Sequence, residues 1–230
     1  MSTPATTSPN PQVAPLSGKQ RIARRIAQEL RDGFYVNLGI GLPTLIASYV
    51  PAGIQVFFQS ENGMLGVGPP PAPGTADPDL INAGKQPVTE LPGCSYFSSV
   101  EAFAMIRGGH MDMSVLGAMQ VDQQGDLANW TIPGKMIKGM GGAMDLVASA
   151  RRVIIAMEHS THSGEPRILR RCTLPLTGRA VVHGIVTELC WIKVTPDGLL
   201  LTELAPGVTA AEVQSRTDAP LLIASGLQAI

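Results

Sequence analysis

The apolar positions Ile22, Ala23, Ile26, Ala27 and Leu30 fall on one face at helical spacing, and Ser17 with Gln20 stands ahead of them as a capping-box pair. The pattern predicts a helix that opens at Ser17 and stops at Gly33. Beyond it the apolar positions become short continuous runs. Tyr35 to Leu38 reads as a buried strand, Gly39-Ile40-Gly41 as a tight turn, Pro43 as the first residue of a short helix through Tyr49, and Ile54 to Phe58 as a second strand.

Between Ser60 and Pro92 periodicity is lost and seven prolines intervene, at 69, 70, 71, 73, 78, 87 and 92. A loop that long in a compact domain is functional or disordered. Regular patterning then returns. Ser98 with Glu101 caps a helix ended by Gly108-Gly109, Met113 to Leu116 is a strand, Gly139 to Gly142 a glycine turn, Ala143 to Ala150 a helix and Val153 to Met157 a strand. In the last third, Ile185 to Val194 and Leu199 to Glu203 flank Pro196-Asp197-Gly198, the signature of a hairpin. Thr209 and Glu212 cap a closing helix, followed by strand Leu221 to Ala224. Strands alternating with helices early and a hairpin late predict an α/β protein: a three-layer α/β/α domain with a mostly parallel, mixed open sheet. The domain is expected over residues 17–230. Residues 1–16 are rich in Ser, Thr and Pro, without the apolar core or basic start of a targeting signal, and are expected to be a disordered tail.

Composition changes this picture in three places. From Gly33 to Ser60 no side chain is charged, a length sufficient to span a bilayer. Asn37, Gln55 and Gln59 lie within that stretch, however, and Gly39, Gly41, Pro43, Pro51 and Gly53 cut it into pieces, so buried sheet is the reading and no membrane is expected. Charged residues make up only 15% of the 230, low for a chain that coats its whole surface with charge, which points to a large interface with a partner. The 17 basic and 18 acidic side chains show no run of either sign, which excludes the electrostatic footprint of a nucleic-acid binder. Cys94, Cys172 and Cys190 are odd in number and far apart, which fits a reducing compartment, the cytoplasm.

Four clusters could carry chemistry. Gly39-Ile40-Gly41-Leu42-Pro43-Thr44 lies between strand and helix as a dinucleotide fingerprint would, but Thr44 replaces its third glycine; the plainer reading is a turn that lets backbone pass close to a neighbour. Glu158-His159-Ser160-Thr161-His162 lacks HExxH order and a third ligand at recognisable spacing, so it reads as a polar loop at a strand end, and no metal is expected. Ser60-Glu61-Asn62-Gly63 sits at the end of a buried strand, where catalytic groups gather in open α/β sheets; position alone leaves Glu61 either a solvated turn tip or a reactive carboxylate. Gly139 to Met144 places glycines directly before a helix, where backbone N–H groups could converge on an anion or simply allow tight packing.

Seven blocks then bear on the choice: VNLGIGLPT (36–44), QSENGMLGVGP (59–69), DPDLINAGKQPVT (77–89), FAMIRGGHMDMSVLGAMQV (103–121), GDLANWTIPGKMIKGMGGAMDLV (125–147), CTLPLTG (172–178) and LTELAPGV (201–208). In this order they resemble the β subunit of class I CoA-transferases acting on 3-oxo acids, over about Lys19 to Ala224. The 3-oxoadipate enzymes of the family have related motifs. The resemblance implies that Glu61 is the covalent nucleophile, and that the amides of Gly142 and Ala143 hold the thioester oxyanion. Ser60, Asn62, Gly63, Asn82 and Gly141 are expected to line the substrate site, and Lys135 and Lys138 to steer CoA phosphates. It also implies no cofactor beyond coenzyme A as substrate, and an α subunit of like fold completing an α2β2 assembly. The expected reaction transfers CoA from succinyl-CoA or acetyl-CoA to a 3-oxo acid such as acetoacetate through a glutamyl-CoA thioester. A 3-oxoadipate or short-chain acyl CoA-transferase, or a non-catalytic CoA-binding protein of the same fold, is the alternative.

Overall fold

Ser17 opens α1 (Gly18–Ala27) with both halves of the capping box made, its side chain accepting from the Gln20 amide and the Gln20 side chain accepting from the Ser17 amide. The predicted apolar face, Ile22, Ala23, Ile26 and Ala27, is buried. These contacts belong to a computed structural model that describes residues 16–137, 139 and 141–230. The tail expected over 1–16 therefore lies, up to residue 15, outside the described residues, as does Lys138.

After α1 come β1 (Tyr35–Leu38), a 3-10 helix (Leu42–Tyr49), β2 (Phe57–Ser60), β3 (Met64–Val67), β4 (Glu90–Tyr96) and α2 (Ser99–Arg107). The middle of the chain forms β5 (Met113–Leu116), β6 (Gln120–Asp122), β7 (Leu127–Ala128), β8 (Thr131–Ile132), β9 (Met136–Ile137), α3 (Ala143–Ser149) and β10 (Val153–Ala156). The last third contributes β11 (Ile168–Leu169), β12 (Gly184–Val186), β13 (Cys190–Thr195), β14 (Gly198–Leu204), α4 (Ala210–Ser215) and β15 (Leu221–Ala229).

Ten strands form one sheet in the order β15-β14-β13-β12-β10-β5-β1-β2-β3-β4. Its centre, β12-β10-β5-β1-β2, is parallel throughout, and antiparallel pairs extend it on both sides. The parallel strands are apolar on both faces because both are covered. In β10, Val153 and Ile155 join Leu146, Val147 and Val213 of α3 and α4, whereas Ile154 and Ala156 join Ile22 and Ile26 of α1 and Ile46 of the 3-10 helix. Each fully buried isoleucine of this kind stabilises by about 1.5–3 kcal/mol. The three-layer α/β/α architecture is thus the one the alternation predicts. The chain leaves β1 to one side for β2 and later returns beside β1 as β5, from which it proceeds the other way to β10 and β12. That reversal opens a crevice beyond the carboxyl ends of β1 and β5, the usual ligand position in open α/β sheets.

Several predicted boundaries move, each for a local reason. The second strand spans Phe57–Ser60 and not Ile54 to Phe58, because Gln55 is tied to the loop after α1: its amide donates to Asp32 Oδ1 and its carbonyl accepts from the Gly33 amide. The stretch predicted as one long loop from Ser60 contains β3 and the start of β4. Ile185 to Val194 is two antiparallel strands, broken where Thr187 Oγ1 accepts from the amides of Leu189 and Cys190 and folds the chain back. The final strand runs on to Ala229, with an irregular register against β14 between Leu201 and Glu203.

Candidate active site

β2 and β3 pair antiparallel with Ser60 opposite Met64, so Glu61, Asn62 and Gly63 are the loop of a tight hairpin at the crevice end of the sheet. Gly63 has φ 124°, and a Cβ there would stand 2.0 Å from the Phe97 carbonyl oxygen, so only glycine closes this turn. The Phe97 amide in turn donates to the Gly63 carbonyl at 3.0 Å. Asn62 Nδ2 donates to the Ile81 carbonyl at 2.7 Å, and Ser60 Oγ accepts from the Ala83 amide at 2.8 Å, so the segment 81–83 braces the hairpin from outside. Asn82 shapes that segment by exchanging backbone bonds with Gln86 and Lys85 and accepting the Gln86 amide on Oδ1.

Glu61 is half-buried. Its Oε2 accepts from Nδ2 of Asn37, 3.1 Å away, and the same Nδ2 lies 2.9 Å from Gln59 Oε1. Gln59 Nε2 donates to the carbonyl of Ala102 in α2. The register that puts Asn37 opposite Gln59 in the parallel pair β1/β2 makes this cluster possible. On the other side of the carboxylate stands the glycine turn: a Cβ at Gly142 would lie 3.9 Å from Glu61 Cγ and 2.7 Å from the Phe103 ring. Gly142 caps α3 and Ala143 begins it, so their amides are among those a helix leaves without an internal partner. Gly141, at φ 49°, is exposed in the approach to that cap. Arg107 of α2 donates to Asp145 of α3 at 2.8 Å and fixes the two helices against each other.

The structure thus brings Glu61 close to Gly142, which Ala143 follows as the first residue of α3, with Ser60, Asn62 and Gly63 supporting Glu61 through the hairpin. Lys135 is not joined to them. It occupies an exposed turn between β8 and β9, its amide bonded to the Ile132 carbonyl. Beside Ser60 at the end of β2, a cavity of about 530 Å³ is lined by Leu38, Leu45, Phe58, Ser60, Asn82 and the proline segment at 69–73, and none of its lining residues is charged. Sequence reasoning missed Asn37 and Gln59 as site residues. Their signal was present: two amides inside an otherwise apolar strand pair, which burial tolerates only with partners.

The remaining clusters resolve into structure. Gly39 donates to the Val115 carbonyl at 2.7 Å and a Cβ there would stand 3.1 Å from that oxygen, the close backbone passage that the turn reading predicts. Glu158 to His162 follows β10, but His159 is fully buried and not part of a solvated loop. Thr217 Oγ1 donates to the Val213 carbonyl, so it accepts from His159 Nε2 at 2.9 Å, and His159 Nδ1 accepts from Thr187 Oγ1 at 3.0 Å. Among the described residues, no three His, Cys, Asp or Glu side chains are grouped to hold a metal ion, and no helix is long and apolar enough to cross a membrane.

Burial, aided by the Arg216 charge, lowers the His159 pKa to about 4. The folded value lies below the ordinary value of about 6.5, so the unfolded chain binds the proton first and stability falls as pH drops from about 6.5 toward 4. The expected loss between pH 7 and pH 5 is about 2 kcal/mol. His183, also lowered chiefly by burial, acts in the same direction, so the comparison is with His159→Gln. Urea unfolding midpoints of that variant should depend visibly less on pH across this window; an unchanged dependence would mean that His159 titrates normally.

Against known proteins, residues 19–216 match the family described as Coenzyme A transferase. The chain is 56% identical over 212 residues to the beta chain of acetate CoA-transferase from Escherichia coli strain K12, covering 92% of this chain and 97% of that one. It is 53% identical over 209 residues to the B component of the probable succinyl-CoA:3-ketoacid coenzyme A transferase from Bacillus subtilis strain 168, covering 91% and 97%. Among solved structures, the acyl-CoA transferase YdiF apoenzyme of Escherichia coli O157:H7 superposes with a TM-score of 0.77 at 21% identity, over 95% of this chain and 44% of that one.

Proposed function

Because the chain belongs to the coenzyme A transferase family, we propose that it is the nucleophile-bearing subunit of an enzyme that moves CoA from an acyl-CoA to a 3-oxo acid through a thioester on Glu61. The observation that carries this reading is the half-buried Glu61 carboxylate, held by Asn37 on one side and backed by the helix cap at Gly142 on the other. A carboxylate exchanges thioester for anhydride and back without net hydrolysis, which suits transfer of CoA between two acids. Glu61 attacks the acyl-CoA carbonyl and expels CoA thiolate, leaving a mixed anhydride. The thiolate then attacks the Glu61 carbonyl and expels the first acid, leaving glutamyl-CoA. The acceptor acid runs the same steps in reverse. The Gly142 and Ala143 amides, at the positive end of α3, would hold the oxyanion formed on the substrate carbonyl; losing one such donor costs about 2.7–4 kcal/mol.

Both intermediates hydrolyse if water enters. The 69–76 segment, fastened by Thr89 Oγ1 and the Thr89 amide to the Pro69 carbonyl, walls one side of the crevice. In this reading an α subunit supplies the other wall in an α2β2 assembly, and the relatives, each named as one component of a multi-chain enzyme, support such a partner. Lys135 and Lys138 steer the CoA phosphates by long-range attraction. No cofactor enters besides CoA as substrate, and the working compartment is the cytoplasm. The 56% identity to an acetate enzyme favours a short-chain acid as a second reading of the acceptor. Rates with acetoacetate, acetate and 3-oxoadipate separate these readings.

The reaction class is tested by withholding the acceptor. The enzyme assembled with its partner and given acyl-CoA alone should accumulate CoA on the peptide containing Ser60-Glu61-Asn62, visible as a mass increase. Borohydride or hydroxylamine should inactivate it only after acyl-CoA is added. The purified chain without its partner should form little adduct, and full transfer by the chain alone would refute the shared site.

A further inference from the structure

β15 is the last strand of the ten-stranded sheet, so among the described residues no further strand pairs with its outer edge. An open edge is a template for more pairing, and folded proteins blunt it with charge, proline or a local twist. The opposite edge is blunted in this way, since β4 carries Glu90, Pro92 and Gly93 at φ 87°. β15 is not. No side chain from Ala219 to Ile230 is charged, and the one proline there, Pro220, stands ahead of the strand. Leu222, Ile223 and Leu227 are large apolar side chains left exposed, Ile223 at 50%. Leu222 lies level with Leu200 and Ile223 with Leu201, so the two point to opposite faces of the sheet. Ala224 to Leu227 have no register partner in β14, and a Cβ at Gly226 would meet nothing within 4 Å. The strand thus presents apolar side chains on both faces and an unpaired edge between them.

We propose that β15 is the contact between two copies of this chain, joined edge to edge and antiparallel about a two-fold axis. A helix laid on the sheet would cover one face and leave the edge unpaired, whereas an added strand pairs the edge and packs side chains on both faces. Such a strand must itself be open, uncharged and apolar on both sides. Among the described residues, β15 is the edge strand that meets this description. Near a two-fold axis each side chain meets its own copy, which a charged strand resists and an uncharged one accepts. The small residues Ala224, Ser225 and Gly226 let the second backbone come close. Because both copies use the same edge and the other edge is blunted, the pairing closes as a dimer and does not grow into a fibre. It also leaves the crevice free. β15 stands seven strands from β2, roughly 33 Å along the sheet, so the second copy and the subunit that walls Glu61 occupy different surfaces. The stoichiometry rests on the α2β2 reading, in which β15 joins two αβ halves.

The test uses the enzyme assembled with its partner. Ile223→Lys places a charge in the pairing on both copies, and sedimentation equilibrium should show the mass of the assembly halved, with the partner still bound and the CoA adduct on Glu61 undiminished. An unchanged mass overturns the proposal, and so does loss of the partner in place of the second copy. Should that variant not fold, Ile223→Cys, Ser225→Cys and Leu227→Cys, each made singly, decide. Mild oxidation should join two copies of this chain through at least one of them, beyond any link seen in the wild type. A link to the partner chain, or none, overturns the proposal. A wild-type assembly holding a single copy of this chain refutes the pairing and leaves Glu61 standing as nucleophile. Absence of CoA label on wild-type Glu61 refutes the nucleophile and leaves the pairing standing, so the two failures are distinct.

Discussion

Glu61→Ala in the assembled enzyme is expected to abolish both CoA transfer and the CoA adduct, a loss on the order of 10⁴-fold or more, because no other group in the site can form the anhydride. The neighbours do not substitute for it. Ser60 Oγ is turned outward to the Ala83 amide, and Asn37, Gln59 and Asn62 are neutral amides committed to the hydrogen bonds that build the hairpin. The three cysteines lie elsewhere: burial pushes the Cys172 and Cys190 thiols up to about 12, and burial raises Cys94 as well, so none offers thiolate at neutral pH. Glu61→Asp keeps the charge but withdraws the carboxylate by one methylene from both Asn37 and the α3 cap. A displacement of this size costs about 10²-fold or more in a reaction that depends on orientation. The measurement is the transfer rate together with the mass of the 60–62 peptide after acyl-CoA. Appreciable transfer by Glu61→Ala, or label on a serine or cysteine, would refute the mechanism while leaving the family untouched.

The parts of this site that were legible in the sequence are those fixed by short-range chemistry. Both capping boxes, Ser17 with Gln20 and Ser98 with Glu101, satisfy helix ends through residues three apart, so they stand where the sequence places them. The central strands are continuous apolar runs because both faces are covered. Glu61 was marked by the end of such a run, though its role came from resemblance. Asn37 was visible only as a polar interruption, since its meaning depends on a strand register that joins residues 22 and 24 apart. β4 escaped prediction because Pro92 and Gly93 interrupt it and it lies on the sheet edge, where a strand need not alternate and a missing amide costs little. The expectation that Lys135 borders the site rested on nearness in sequence to the glycine turn. The β8–β9 hairpin places it in an exposed turn.

Gly63→Ala should be the most damaging small substitution in the hairpin, in stability as well as rate. The added methyl would stand 2.0 Å from the Phe97 carbonyl oxygen, far inside contact distance, at φ 124°, where an L side chain is strained in any case. Relief requires Phe97 to move, which breaks the 3.0 Å bond from its amide to the Gly63 carbonyl, or requires the 61–63 loop to lift, which carries Glu61 off Asn37. The expected cost is about 3 kcal/mol or more, corresponding to a Tm lower by roughly 6–12 °C for a chain of this size. Gly93→Ala separates the clash from the backbone strain. Gly93 also has positive φ, 87°, but its added Cβ meets nothing within 4 Å, so about 1–2 kcal/mol is expected there. Thermal unfolding of the two variants side by side, with transfer rates below the transition, gives the answer. Gly63→Ala should lose about 10²-fold in rate even while folded, and Gly93→Ala should keep nearly all of it. Equal stability and equal rate in the two variants would mean that the turn opens freely, and that Glu61 is not held in place by the closeness of Gly63 to Phe97.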